Sequence, residues 1–284
     1  MPAVRELDVH ELTAAVKKMS VDANYDLPAD VYAAIKNAKK TESSPVACAM
    51  LDQLIENADI AATDRVPICQ DTGLAIMFVE VGQDVHLVGG DYEAALNQGV
   101  REGYTDGYLR KSSVEQPAHA RLNTKDNTPA IIHTRVVPGN KVRIWLMPKG
   151  GGAENMSSLN MLKPSQGAEG VIQAVVDTVS RAGSNPCPPV IIGIGIGGTI
   201  DKVTQLAKHS LLRDLGSVNP DPRLAEMEAE MLRRINNLGI GPLGLGGNTT
   251  WLGVFIEEAP SHIASMPMAV NVQCHAQRHQ TIEL

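Results

Sequence analysis

A polar cluster directly before a long apolar run is the sequence feature that most constrains this fold. Residues 69–73 read Cys-Gln-Asp-Thr-Gly, and the apolar run 74–79 follows them. Gln and Asp are costly to bury, whereas such a run is typical of a buried strand. The chain must therefore place a soft metal ligand, an amide and a carboxylate at the mouth of a strand that enters the core. That position is typical of a functional site.

The composition favours a globular chain with a sizeable core. Of its 284 residues, 43% are hydrophobic and 20% charged, and the formal net charge is -7. This acidic balance argues against a nucleic-acid surface. The sequence lacks an apolar stretch of about 18 residues, and the charged residues within 5–11 leave no place for a signal peptide. We expect a soluble, cytoplasmic protein that binds no nucleic acid and no membrane.

The order of periodic patterns predicts an α/β protein. Helical patterns cover residues 7–20, 28–40 and about 44–58, and from there on strand and helix patterns alternate. We therefore expect an N-terminal helical lobe, residues 1–62, packed on a mixed α/β body, residues 63–284.

Two turn-rich stretches follow in the body. Residues 130–137 and 141–147 have β-rich patterns on either side of a Pro-Gly-Asn turn, which predicts a hairpin. The second arm leads into three consecutive glycines, 150–152, between Lys149 and Asn155. Exposed backbone N–H groups beside a cation and an amide favour anion binding over a plain flexible loop.

The stretch 193–198 matches the pattern G-x-G-x-x-G between an apolar strand and a helix pattern. Such a pattern is a hypothesis for a dinucleotide site and hence for a nicotinamide-dependent oxidoreductase. We discount it because the acidic residue expected at the end of a second strand is missing, and Asp214 falls at the end of a helix instead.

Three of the four cysteines share a context. Cys69, Cys187 and Cys274 lie on polar or proline-bounded stretches next to apolar strands, whereas Cys48 lies within a helix pattern and is expected to be a buried thiol. The three are too far apart in sequence for a local zinc knuckle or a C-x-x-C pair. They could hold zinc with His262 or His275, hold three irons of a cubane cluster, or be separate structural residues. A zinc-stabilised, non-catalytic module therefore stays an alternative.

Long stretches of the chain resemble the iron-sulfur-dependent class I fumarases and L-tartrate dehydratases. The resemblance covers roughly residues 40–284 and is carried in order by PICQDTG, NTKDNTPAIIHTRVVPG, PKGGGAENMS, GSNPCPPVIIGIGIGGTIDKV, GLGGNTTWLGVFIE and SHIASMPMAVNVQCHAQRH. It implies an oxygen-sensitive hydro-lyase whose body carries a cleft for a 4Fe-4S cluster.

The resemblance also implies roles for single residues. Cys69, Cys187 and Cys274 match the ligands of three irons, and the open fourth iron would act as a Lewis acid on the substrate hydroxyl. Asp71 and His262 match the residues that exchange a proton at that hydroxyl. The residues that match substrate contacts are Gln70, Arg110 and Gly152, of which Arg110 and the backbone around Gly152 would hold a carboxylate.

The chain departs from single-chain members of the resembled group, which continue into a second domain. It is therefore expected to be the α subunit of a two-subunit enzyme whose separate β subunit completes the active site, in a hetero-oligomer such as a tetramer of two α and two β subunits. The implied reaction is hydration of fumarate to L-malate, a step of the TCA cycle. Dehydration of L-tartrate to oxaloacetate is the alternative, since both substrates are C4 dicarboxylates.

Overall fold

The computed structural model describes residues 4–284 and contains helices and strands throughout. The strands are β1 (Arg5–Asp8), β2 (Leu74–Gly82), β3 (Val85–Val88), β4 (Val114–Glu115), β5 (Leu122–Asn123), β6 (Ile131–Val137), β7 (Val142–Lys149), β8 (Ser158–Leu162), β9 (Val190–Gly197), β10 (Trp251–Ala259), β11 (Met266–Gln273) and β12 (Gln280–Glu283). The helices are α1 (Val9–Tyr25), α2 (Ala29–Thr41), α3 (Pro45–Asp64), α4 (Tyr92–Asp106), α5 (Gly151–Glu154), α6 (Gly167–Ala182), α7 (Ile200–Ser210) and α8 (Pro222–Asn236), with 3-10 turns at Pro164–Gln166 and Pro242–Gly244. The α/β class is confirmed.

The backbone contacts divide the chain differently from the expected division at residue 62. One unit comprises residues 4–28, Ile60–Gly151 and Arg278–Leu284, and the other comprises Ala29–Asp59 and Gly152–Gln277. The predicted lobe is split because α1 packs on α4 and β7, whereas Glu42, which follows α2, accepts backbone hydrogen bonds from Asn248 and Thr249. Helical periodicity locates helices but does not show which sheet covers them.

The first unit is built on a four-stranded sheet in the order β12-β7-β2-β6. Strand β2 is the apolar run predicted from the sequence, and its centre is buried. It pairs with β7 in antiparallel and with β6 in parallel orientation. Side chains of α1 and α4 form one apolar core with this sheet. The predicted hairpin of β6 and β7 is therefore wrong, because β2 lies between its two arms.

The second unit is built on a four-stranded sheet in the order β10-β9-β11-β8. Strand β9 runs parallel to β10 and antiparallel to β11, which also pairs with β8 in antiparallel orientation. Side chains of α6 and α8 form an apolar core with one face of the sheet. Helix α7 contacts β9, β10 and β11. Its Val203 and Ala207 form a small cluster with Ala269 of β11.

The glycine pattern of β9 is explained by packing against α7. Ile192 and Ile194 lie in the core shared with α6 and α8, and Gly193 and Gly195 alternate with them and face α7. A Cβ at Gly193 would lie 1.9 Å from the carbonyl oxygen of Ala207, and one at Gly195 would lie 2.2 Å from that of Val203. These glycines allow the close approach of helix and strand, so they give no separate support to a dinucleotide site.

No helix within residues 4–284 combines the length and the apolar character that a membrane-spanning segment needs.

Candidate active site

In the first unit, residues 69–73 form a tight polar connection between α3 and β2. Cys69 is half-buried and Gln70 is exposed, whereas Thr72 and Gly73 are buried. Gly73 has φ +70°, and a Cβ there would lie 2.6 Å from the backbone nitrogen of Lys149. Only glycine combines this backbone conformation with so close an approach. The chain can thus turn at once from the polar segment into the buried strand.

The carboxylate of Asp71 is held by two backbone N–H groups. Its Oδ1 accepts from Gly73 at 3.0 Å, and its Oδ2 accepts from Gly151 at 2.8 Å. Pairing of Leu74 with Lys149 brings the start of β2 and the end of β7 together, which places Gly151 beside Asp71. The Gly151 N–H thus holds the protein's own carboxylate, and the predicted binding of a ligand anion by the glycines 150–152 stays a prediction.

Three buried side chains donate hydrogen bonds to the backbone carbonyls of this segment. The Tyr104 hydroxyl donates to Thr72 at 2.8 Å and Gly73 at 3.1 Å, and Asn127 Nδ2 donates to Gly73 at 3.1 Å. Arg278 Nη2 donates to the carbonyl of Asp71 at 2.9 Å. We call Tyr104, Asn127 and Arg278 the carbonyl clamp.

The clamp keeps one hydrogen-bonding pattern over a wide pH range. Burial raises the pKa of Tyr104 well above the ordinary tyrosine value of 10.0, so the hydroxyl stays a donor. Arginine remains charged and an amide does not titrate. The segment that carries Cys69 and Asp71 is therefore held by groups that do not change charge near neutral pH.

Arg110 lies beside the same segment. Its side chain is exposed, and its carbonyl accepts the Thr72 hydroxyl at 3.0 Å. The structure therefore brings together Arg110 and the segment 69–73, which the sequence separates by two strands and a helix. Its predicted contact with a substrate carboxylate stays a prediction.

In the second unit, the loops of Cys187 and Cys274 meet. Cys274 directly follows β11 and Cys187 precedes β9, and the antiparallel pairing of Gln273 with Ile191 places these two ends side by side. His275 donates its backbone N–H to the carbonyl of Cys187 at 3.3 Å, and its Nδ1 lies 3.0 Å from the same oxygen. Cys187 is exposed and Cys274 half-buried. Two of the three predicted ligands are thus on adjoining loops.

His262 and Gly152 are also in the second unit. His262 is exposed on the turn between β10 and β11, where its Nδ1 accepts from the backbone N–H of Ala264 at 3.1 Å. Nε2 is then the ring nitrogen that carries the proton of the neutral imidazole. Gly152 is exposed on the short helix α5, and a Cβ there would lie 3.6 Å from the carbonyl oxygen of Asn185. The roles of both residues stay predictions.

The donor set fits an iron-sulfur cluster by its chemistry. The four cysteines form no disulfide, and Cys69, Cys187 and Cys274 are on loops at strand ends. Cys48 lies in α3 and is half-buried rather than buried as predicted, and its thiol donates to the carbonyl of Glu42 at 3.6 Å. Residues 4–284 contain no preassembled group of three His, Cys, Asp or Glu side chains at the spacing of a single metal ion. The three-cysteine ligand set stays a proposal.

The sequence reasoning missed the carbonyl clamp. Tyr104 lies near the end of α4, where no local pattern marks it as a contact of the segment 69–73. Arg278 lies six residues before the C-terminus in a polar stretch that is typical of an exposed end, yet it is 2% exposed. The one signal was that Arg278 and Asn127 both lie in stretches that carry the family resemblance.

Comparison with known proteins agrees with that resemblance. The sequence profile of the fumarate hydratase (Fumerase) family matches residues 13–283. A protein of Methanocaldococcus jannaschii, which bears a provisional name as an L(+)-tartrate dehydratase subunit alpha, is 40% identical over 277 residues, covering 94% of this chain and 95% of its own. The L(+)-tartrate dehydratase subunit alpha of Escherichia coli UTI89 is 33% identical over 278 residues, covering 97% of this chain and 91% of its own, and that of strain K12 is 32% identical over 276 residues, covering 96% and 91%. The chain therefore belongs to the fumarate hydratase (Fumerase) family of hydro-lyases.

Proposed function

We propose that the chain is the α subunit of an iron-sulfur hydro-lyase that catalyses the reversible hydration of fumarate to L-malate. The observation that carries this proposal is the carboxylate of Asp71, two residues after Cys69, held by two backbone N–H groups on a clamped segment. A carboxylate fixed two residues from a cysteine that would hold an iron suits proton transfer at the substrate hydroxyl.

In this proposal, Cys69, Cys187 and Cys274 hold a 4Fe-4S cluster. When bound, such a cluster supplies a Lewis acid that weakens the bond between the substrate carbon and its hydroxyl. The support from the structure is chemical: three cysteines without disulfides, each at the end of a strand and two of them on adjoining loops.

The protein's own residues orient the substrate and move the proton. Arg110, with its two-pronged guanidinium, and the backbone N–H groups near Gly152 bind substrate carboxylates. Gln70 donates to the substrate beside Asp71. Asp71 and His262 exchange a proton at the hydroxyl oxygen, which leaves as water in dehydration and is added in hydration. The base that removes the proton from carbon is assigned to the partner.

A separate β subunit completes the site. The relatives named above are each called subunit alpha, and this chain matches over nine tenths of their length. We infer a hetero-oligomer, of which the two-α, two-β tetramer is the simplest form consistent with a shared site.

L-tartrate dehydration to oxaloacetate is a second candidate. The observation that favours it is the name of the relatives, which are L(+)-tartrate dehydratase subunits. Tartrate differs from malate by one hydroxyl, and recognition of an added hydroxyl depends on a few polar groups. Those groups are divided between this chain and the partner.

The test is co-expression of this chain with the neighbouring β reading frame, followed by anaerobic assay with fumarate, L-malate and L-tartrate. We expect activity from the pair on at least one C4 dicarboxylate and none from this chain alone. The substrate with the higher kcat/KM decides between fumarate and tartrate. Full activity of this chain alone would refute the divided site.

A further inference from the structure

The buried guanidinium of Arg278 contacts the backbone of Asp71. Arg278 is 2% exposed, and its Nη2 donates to the backbone carbonyl of Asp71 at 2.9 Å. Its Nη1 donates to Oδ1 of Asn24, at the end of α1, at 3.1 Å. The arginine thus ties the main chain of Asp71 to a helix of the same unit.

The Asn24 anchor is itself fixed. Asn24 is fully buried, and its Nδ2 donates to the carbonyl of Ser20 at 2.9 Å. Its own carbonyl accepts the backbone N–H of Ile68 at 2.9 Å, just before the segment 69–73. The chain is therefore held on both sides of Cys69, at Ile68 and at Asp71, by groups that converge on Asn24.

The charge of Arg278 has no carboxylate among these partners. Both of its acceptors are neutral oxygens, and its Nε has no hydrogen-bond partner within residues 4–284. Neutral donors would satisfy a carbonyl and an amide equally well, and a buried cation is costly unless an anion lies near it. The segment that Arg278 contacts carries the Asp71 carboxylate, and the substrate of the proposed reaction is a dianion.

We propose that Arg278 is a positioning residue of the active site, which fixes the direction of the Asp71 carboxylate through its main chain and favours binding of an anionic substrate. The part concerning the substrate rests on the proposed function, whereas the part concerning Asp71 rests on the contacts of one unit. Two amides report on the latter, because the N–H groups of Gly73 and Gly151 donate to the carboxylate.

The first test measures amide hydrogen exchange of the full chain, without cluster or partner, in Arg278→Gln and Arg278→Lys. Loss of a hydrogen bond from a charged donor should speed exchange at Gly73 and Gly151 about tenfold or more. Amides in the middle of β2 serve as the internal reference. Arg143→Gln, an exposed arginine of the same unit that pairs with Glu283, is the matched control.

The two variants separate the effect of the hydrogen-bond geometry of Arg278 from the effect of its charge. Lysine keeps the charge but cannot donate to both oxygens in the same forked geometry, so Arg278→Lys should show the local exchange increase in a smaller degree. In the active complex, Arg278→Gln should raise the KM of the dicarboxylate about tenfold and also lower kcat, whereas Arg278→Lys should lower kcat and leave KM within about twofold.

The outcomes that would overturn the proposal are separate from those that would overturn the function. Exchange at Gly73 and Gly151 that matches the wild type in both variants, or that rises only in step with β2, would show that Arg278 is merely structural. If Arg278→Gln does not fold, the exchange pattern of Arg278→Lys decides in the same way. A wild-type complex without hydro-lyase activity would refute the proposed function and leave the exchange test of Asp71 intact.

Discussion

The two residues proposed to exchange the substrate proton are held in very different ways. Asp71 accepts two backbone N–H groups, and its segment is fixed by the buried carbonyl clamp of Tyr104, Asn127 and Arg278. His262 is exposed on a turn whose hydrogen bonds, from Ala264 to His262 and from Ser261 to Ser265, join residues at most four positions apart. One residue of the proposed acid-base pair is therefore preorganised by this chain, whereas the position of the other can respond to a substrate or a partner.

The largest expected effect is the loss of kcat when Asp71 is replaced. Asp71→Asn keeps the shape of the side chain and removes the carboxylate, so kcat of the complex should fall by about 10²–10⁴-fold. Iron content per chain should not change, since Asp71 is not assigned as a ligand. A variant that keeps more than a tenth of the wild-type kcat would remove Asp71 from the acid-base pair.

Replacement of the exposed His262 should lower activity and leave stability nearly unchanged. His262→Ala should lower kcat about 100-fold, because a general acid-base group is lost. Its free energy of unfolding should stay within about 0.5 kcal/mol of the wild type, because the side chain packs on little. His119→Ala, an exposed histidine of the other unit, is the control and should change neither quantity.

Removal of the Tyr104 hydroxyl from the carbonyl clamp should, in contrast, lower the stability of the fold. Tyr104→Phe leaves two buried carbonyls, those of Thr72 and Gly73, without this donor and should cost about 1–3 kcal/mol of unfolding free energy. Tyr32→Phe removes a hydroxyl bonded to Asp59 at an exposed position and should cost much less. Equal melting temperatures of the two variants would contradict the clamp.

A third polar segment, at Glu42, should lose stability at acidic pH. Glu42 accepts hydrogen bonds from the backbone N–H groups of Ser44, Asn248 and Thr249. Burial alone would raise the pKa of Glu42, but these hydrogen bonds outweigh burial and hold the pKa below the ordinary glutamate value of 4.5. A lowered folded-state pKa stabilises the fold above about pH 4.5 and loses that contribution as pH falls through the folded value.

Amides in the middle of β2, which pairs through its backbone with β6 and β7, serve as the reference for this loop. Amide exchange around residues 248–249, corrected for its intrinsic pH dependence, should rise below about pH 4.5 relative to that reference. Glu42→Gln should abolish the difference between neutral and acidic pH at 248–249. A parallel loss of protection in β2 would indicate global acid unfolding instead.

Local patterns predicted most elements of this fold. The helices at the N-terminus, β2 and β9 lie where periodicity places them. The pairing of β6 with β2 rather than β7 was missed, because a turn signal does not reveal that a distant strand can insert between two arms. The additional strands β1, β3, β4, β5, β8 and β12 were missed because they are short and at most partly apolar.

The candidate site was predictable to a lesser extent. Motif resemblance indicated Asp71 and the cysteines, and polarity placed them at the mouth of β2. The contacts that hold them come from Tyr104, Asn127 and Arg278, which are remote in sequence and became partners only through the tertiary fold. A tyrosine on a helix or an arginine near a chain end gives no local sign of the carbonyl that it will contact.

The central claim is that three of the four cysteines hold a cluster beside Asp71. It is tested most directly by the visible spectrum and the iron and sulfide content of the anaerobically purified complex, in the wild type and in Cys69→Ser, Cys187→Ser, Cys274→Ser and Cys48→Ser. We predict brown protein that bleaches in air for the wild type and Cys48→Ser, and loss of the cluster in each of the other three variants. Colourless, zinc-containing wild-type protein, or a cluster that survives any of those three substitutions, would contradict the account.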